Sequence, residues 1–196
     1  MFILKNRYKL SDEDLVQLIS KQQDHKAFEV IYERYHQRVF TYFLRSTQNQ
    51  TTSEDLLQEL FSGLWEKAYQ FNPKYSFRPW FYTMGSNLMR KHFRNPVMVD
   101  LEGNHIEQAA EETPISQLLD KEKTAEIHQI NEQLPEHLRE VFWLRIIEEF
   151  SVKEVADIVQ IPEGTVKSRL SKAIQLVKEY FNTNNSSYEG KNRTLG

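Results

Sequence analysis

Residues 151–173 read SVKEVADIVQIPEGTVKSRLSKA, and this stretch decides the C-terminal half of the chain. Ser151 and Glu154 stand at capping-box spacing, so each can satisfy a free amide at a helix start. Val155, Ala156 and Ile158 then give a short helix its inward face. Val159-Gln160-Ile161-Pro162 is a brief connection, and a second helix begins near Glu163 and runs to about Tyr180. Val166, Leu170 and Ala173, at steps of four and three, would pack that helix down. Two helices joined by a tight turn, with a small residue in the first, make a helix-turn-helix. In that motif the start of the second helix enters the DNA major groove. Here that surface offers Glu163, Thr165, Lys167, Ser168, Arg169 and Lys172. Arg and Lys donate to guanine edges, Glu accepts from cytosine, and Ser and Thr reach phosphates or bases. Many helical hairpins share this spacing, so a plain solvated face is the competing reading of these residues alone.

Working outward, helical signals dominate. Leu134-Pro135 opens a helix with Leu138, Val141, Phe142, Leu144, Arg145 and Ile146. Ile115, Leu118, Leu119, Ile127 and Ile130 carry a weaker helical pattern. At the other end of the chain, Ser11 can cap a helix with Asp12, Glu13 and Asp14 at its positive pole and Leu15, Leu18 and Ile19 inside. Asp24 can cap a longer one, with Ala27, Phe28, Ile31, Tyr32, Tyr35, Val39 and Tyr42 on one face. Thr51 and Glu54 suggest a capping box ahead of Leu56, Leu57, Leu60, Phe61, Leu64 and Trp65. Gly63 within that helix marks a close contact. Pro79 fits the first turn of a helix from about Trp80 to Arg94, stopped by Asn95-Pro96. The expected fold class is all-α, with two small helical domains joined by an acidic linker. The boundaries are 1–95 and 115–181, with a linker over 96–114 and a disordered polar tail over 182–196.

The charge is distributed unevenly. The 196 residues carry 25 basic and 28 acidic side chains, a net of −3. Residues 1–95 hold 14 basic and 10 acidic, residues 96–133 hold 2 and 9, and residues 134–196 hold 9 and 9. A near-neutral total therefore hides a basic first half and an acidic tether. No acidic residue occurs between Glu66 and Asp100, where Lys67, Lys74, Arg78, Arg90, Lys91 and Arg94 interleave with eight of the chain's 24 aromatics. Cations that track phosphates and rings that stack on bases suit single-stranded nucleic acid. A packed core with a basic outer face is the alternative, since aromatics are core formers first. The chain has no cysteine, which excludes disulfides, thiolate metal sites and a cysteine nucleophile. No stretch is apolar and long enough for a signal segment or a membrane span. There is no HExxH, phosphate-binding glycine loop or GxSxG elbow, and neither an enzyme nor a cofactor is expected.

These blocks resemble a known family. LPEHLREVFWLRIIEEFSVKEVADIVQIPEGTVKSRLSKA resembles region 4 of the extracytoplasmic-function (ECF) sigma factors of bacterial RNA polymerase, and GTVKSRL is its most specific part. AFEVIYERYHQRVF, SEDLLQELFSGLWEKAYQF and FRPWFYTMGSNLMRKHFR resemble their region 2. The two blocks occur in the family's order and cover most of residues 24–180. The resemblance implies a cytoplasmic initiation factor that directs core polymerase to promoters and assists DNA opening.

It implies that Asp55, Gln58, Glu59, Phe61 and Trp65 dock on the β′ clamp helices, with region 4 meeting the β flap; core packing is the alternative for Phe61 and Trp65. Tyr75, Phe77, Arg78, Trp80, Asn87, Arg90, Lys91 and Arg94 fall in the part that opens and captures the −10 element. Most of that pocket is expected from the loop between Phe71 and Phe77. Glu163 to Lys172 fall in the part that reads the −35 element. An anti-sigma factor is a further implied partner. The chain departs from many relatives at Lys91, where an acidic residue is common, and at Gly85-Ser86, where Ala-Arg is common. The linker can be a plain spacer or a nucleic-acid mimic. A helix-turn-helix regulator that binds duplex DNA without polymerase is the alternative to be separated from the sigma reading.

Overall fold

The computed structural model describes residues 7–94 and 133–192, with side chains through Phe181. The linker over 96–114, the Asn95-Pro96 stop, the apolar pattern from Ile115 to Ile130 and the last four residues of the tail lie outside the described residues. Contacts divide the chain into two units, Met1–Thr113 and Pro114–Gly196. Among the described residues all regular structure is helical.

The N-terminal unit contains α1 (Asp12–Gln22), α2 (His25–Thr47), α3 (Gln50–Lys67) with a short 3-10 turn (Ala68–Gln70), and α4 (Phe77–Arg94). Ser11 caps α1, its Oγ accepting from the Asp14 amide at 3.1 Å. Asp24 caps α2, with Oδ1 accepting from the Lys26 and Ala27 amides at 3.0 Å each. Burial alone would raise the Asp24 pKa, but the Arg7 guanidinium and the two cap amides outweigh it and hold the carboxyl below its ordinary value.

Two helix starts differ from expectation. Helix α3 begins at Gln50, because Asn49 is the cap and its Oδ1 accepts from the Thr52 amide at 2.8 Å. Thr51 therefore lies inside the first turn, and Glu54 accepts from the Gln50 side chain instead. Helix α4 begins at Phe77 rather than Trp80, with Pro79 still in the first turn, where amides lack intrahelical partners anyway.

The inward faces form one aromatic core. Tyr35, Phe77 and Phe81 pack with centroid separations of 5.1 to 5.6 Å. Phe61 closes on Phe81 at 5.4 Å. Val16, Val30 and Phe43 join this core, whereas Leu18, Phe28, Leu57 and Trp65 are half-buried and Tyr32 is exposed. Glycine marks two close approaches of α4. A Cβ on Gly63 would lie 3.4 Å from Met84, and one on Gly85 would lie 3.2 and 3.3 Å from ring atoms of the buried Phe43.

The C-terminal unit contains α5 (Glu136–Phe142), a wide π-turn (Trp143–Ile147), α6 (Val152–Val159) and α7 (Glu163–Asn192). The π-turn corrects the expected period. One extra residue per turn brings Trp143 and Leu144 both inward and leaves Ile146 40% exposed. The expected capping box is present, with the Ser151 amide donating to Glu154 at 2.8 Å and the Glu154 amide to Ser151 Oγ at 3.2 Å. The turn passes through Gln160 in the left-handed region, φ 57°. Helix α7 packs by Val166 and Ala173, and with Leu134, Leu138 and Phe142 it forms the hydrophobic cluster of this unit.

Residues 182–192 also correct expectation, since they continue α7 where an irregular tail was read. Asn, Ser and Thr are weak helix formers, but the segment contains no proline. Propagation from a packed helix costs far less than nucleation.

The surroundings of Gly85 and Gly164 predict opposite effects. Gly85→Val should cost the N-terminal unit about 1–3 kcal/mol, because Phe43 is fully enclosed. A Cβ on Gly164 meets nothing within 4 Å, so Gly164→Ala should gain about 0.5–1 kcal/mol from helix propensity. Denaturant unfolding followed by circular dichroism measures both. An unchanged midpoint for Gly85→Val would contradict the close approach of α4 to Phe43.

Candidate polymerase and nucleic-acid interfaces

The expected docking residues separate by exposure. Asp55, Gln58 and Glu59 are exposed on α3. Phe61 is not a surface residue: it is buried against Phe28, Tyr32 and Phe81. It lies four residues after Leu57 and three before Leu64, on the inward face of α3. Trp65 is half-buried, stacked on His25 at 4.6 Å and edge-on to Phe28 at 5.5 Å. Asp55 and Glu59 are one helical turn apart, so two carboxylates share one face. Glu59 also accepts from Lys91 Nζ at 3.1 Å, a pair exposed on both sides. Such a pair is worth about 0–1 kcal/mol and is easily exchanged for a partner's charge.

The acid-free stretch is similarly divided. Phe77 is fully buried and is a core residue, so it cannot stack on a base without unfolding the start of α4. Trp80 is half-buried at 5.2 Å from Phe71. Tyr75 is 71% exposed, and Tyr69 is 70% exposed just before the loop. The loop between Phe71 and Phe77 is held by Asn72, whose Oδ1 accepts from the Lys74 amide at 3.1 Å and whose carbonyl accepts from the Tyr75 amide at 3.0 Å. Along α4, Asn87, Lys91 and Arg94 are exposed and Arg78 and Arg90 half-buried, with Arg90 donating to the Asn87 side chain. Tyr69 is not among the contact residues the resemblance singles out, and its exposure is what distinguishes it.

In the C-terminal unit, Thr165, Ser168, Arg169 and Lys172 follow i, i+3, i+4, i+7 spacing and form one strip of α7. Lys167 and Glu163 are exposed but lie off that strip. Ser168 Oγ donates to the Thr165 carbonyl at 3.0 Å, and Lys172 is exposed. Arg169 is half-buried and donates to the His137 carbonyl at 3.3 Å, which ties the strip to the start of α5. No group of three or more His, Cys, Asp or Glu among the described residues could hold a metal ion. No helix among them is long and apolar enough to cross a membrane.

Comparison with known proteins agrees with this geometry. Residues 31–95 match the family model for sigma-70 region 2, and residues 124–177 match that for sigma-70 region 4. The chain is 29% identical over 182 residues to the RNA polymerase sigma-H factor of Pseudomonas aeruginosa, covering 86% of this chain and 94% of that protein. It is 28% identical over 179 residues to the ECF RNA polymerase sigma-E factor of Escherichia coli, covering 86% and 93%. The solved structure of CnrH in complex with the cytosolic domain of CnrY shares the fold with a TM-score of 0.61. It is 21% identical and covers 88% of this chain and 97% of that one. A stand-alone duplex-binding regulator would not carry region 2 beside region 4. The chain therefore belongs to the sigma-70 family of bacterial RNA polymerase sigma factors, within its ECF group.

Proposed function

We propose specific surfaces for the work of a sigma factor, which directs core RNA polymerase to promoters and acts in initiation rather than as an enzyme. The module of residues 1–95 docks on core polymerase, at the β′ clamp helices, through Asp55, Gln58 and Glu59. Its loop at 72–76, with Tyr75, Arg78, Asn87, Arg90 and Arg94, holds the non-template strand of the −10 element and assists opening. Unstacking a base costs a few kcal/mol, and a ring platform with nearby cations returns that cost. The module of residues 115–181 sits at the β flap and places the strip Thr165, Ser168, Arg169 and Lys172 in the major groove at −35. The acidic stretch 96–114 tethers the two, and the chain acts in the cytoplasm. An anti-sigma factor, the partner the family resemblance implies, is the proposed repressor; CnrH, which shares the fold, is seen in complex with the cytosolic domain of CnrY.

The observation that carries this reading is the division of the acid-free stretch: Phe77, Phe81 and Tyr82 are enclosed, while Tyr75 and Lys74 stand exposed on a loop fixed at both ends. Run-off transcription tests it, using purified core enzyme and a promoter recovered by mapping polymerase-bound DNA. A start-specific transcript should require this chain, and its absence would sink the reading.

The two DNA-facing roles in α7 should separate. Lys172→Ala should weaken holoenzyme binding equally on all −35 variants and reduce the salt slope by about one. Arg169→Ala should cost about 1–3 kcal/mol on the preferred −35 sequence and less on others. Equal loss on every sequence would make Arg169 a phosphate contact.

Asp55→Ala combined with Glu59→Ala should lower core affinity in a fluorescence titration while circular dichroism stays unchanged. Normal core binding by the double variant would remove these carboxylates from the docking surface.

A further inference from the structure

We propose that Glu13 is the positioning residue of the −10 capture loop, although it lies in α1 and touches no DNA. The proposal rests on the assignment of residues 72–76 to that loop. The loop runs between two buried rings, Phe71 and Phe77, which meet edge-to-face at 6.0 Å. Its five intervening residues are all exposed. The entry side is fixed locally by the Asn72 turn. The exit side is fixed from a distance: the Phe77 amide, the first of α4, donates to Glu13 Oε1 at 2.8 Å across 64 residues of sequence.

The three acids of the first turn of α1 have separate partners. Asp12 accepts from Arg34 and Tyr35, and Asp14 accepts from the Ser11 hydroxyl at 2.8 Å. Glu13 crosses to the loop. Its carboxylate lies in the first turn of one helix and at the first amide of another, and both positive helix poles favour an anion there. With that amide satisfied, the first turn of α4 is held, and with it the placement of Tyr75 and Arg78. A loop ordered in advance avoids the entropy cost of ordering when bases arrive.

Simple electrostatics and positioning give opposite forecasts. Removing a carboxylate beside a basic loop should strengthen DNA binding through charge alone. Losing the acceptor that holds the loop should weaken it. The test compares wild type, Glu13→Ala and Glu13→Gln as full chains assembled with purified core polymerase. The probe is a 12-nucleotide single-stranded DNA of randomised sequence, with retention by core alone subtracted. Glu13→Ala should bind the probe about fivefold more weakly, the effect of one lost hydrogen bond. Glu13→Gln keeps an acceptor oxygen and should stay within about twofold of wild type.

Amide hydrogen exchange at Phe77 should quicken in Glu13→Ala and remain slow in Glu13→Gln, with core affinity and the unfolding midpoint of the glutamine variant unchanged. Probe binding by Glu13→Ala equal to or tighter than wild type would overturn the proposal, as would an equal loss in both variants. If wild-type holoenzyme retains no more probe than core alone, the loop assignment fails separately. Unchanged exchange at Phe77 in Glu13→Ala would then overturn the role of Glu13 as well.

Discussion

The N-terminal unit depends on Tyr35. Its ring lies edge-on to Phe77 and Phe81, while its hydroxyl donates to Asp12, whose other oxygen takes the Arg34 guanidinium. One side chain thereby joins α1, α2 and α4, with its apolar body in the core and its polar end on a charged partner. Burial foremost, and then the bond to Asp12, push the Tyr35 hydroxyl well above its ordinary pKa, so it remains a donor at any physiological pH. Arg34 is drawn further into the junction by the carbonyls of Tyr8 and Leu10, at 2.8 and 3.1 Å. A buried ring with its polar end satisfied gives α1 a defined seat, and only from that seat can Glu13 reach the start of α4.

The same constraint explains how one aromatic-rich segment can carry both a core and the proposed stacking surface. Phe77 and Phe81, one turn apart, pack on Tyr35, Phe81 also on Phe61 of α3, and Tyr82 on Tyr42 of α2, so these rings build the core and hold the backbone still. Tyr69 and Tyr75 bracket the loop entry and stand out from it. Stacking on a base needs an exposed ring on a backbone that does not yield. The enclosed rings provide the second condition and the exposed ones the first.

Much of the helical layout was legible because its signals are local. Ser11, Asp24 and the Ser151–Glu154 box cap their helices through bonds spanning two or three residues. Less was legible where the determinants are distant or unusual. Helices end at Gln23, Gln48 and Gln160, each in the left-handed region usually marked by glycine, so composition did not announce the turns. The π-turn at Trp143–Ile147 broke the assumed 3.6-residue period and exchanged the roles of Trp143 and Ile146. A motif match also transfers a whole segment without separating its faces, which is why Phe77, and Phe61 despite its place in the apolar period of α3, stand among the contact residues the resemblance implies. The Glu13 bond joins residues 64 apart and has no sequence signal at all.

Charge arithmetic bears on how such a chain uses its two units. The α7 strip presents two cations, Arg169 and Lys172, and Arg169 is partly engaged by the His137 carbonyl. Each neutralised phosphate contributes about 0.9 to the salt slope, so this strip alone releases few counterions and grips duplex weakly. The net charge of −3 adds no long-range attraction. In the proposed arrangement, docking on polymerase supplies what charge does not. Once one module is seated, the other meets its DNA element as an intramolecular event, at an effective concentration set by the connecting chain. Weak contacts at two elements then multiply, and sequence discrimination is kept because neither contact holds the chain on unrelated DNA by charge alone.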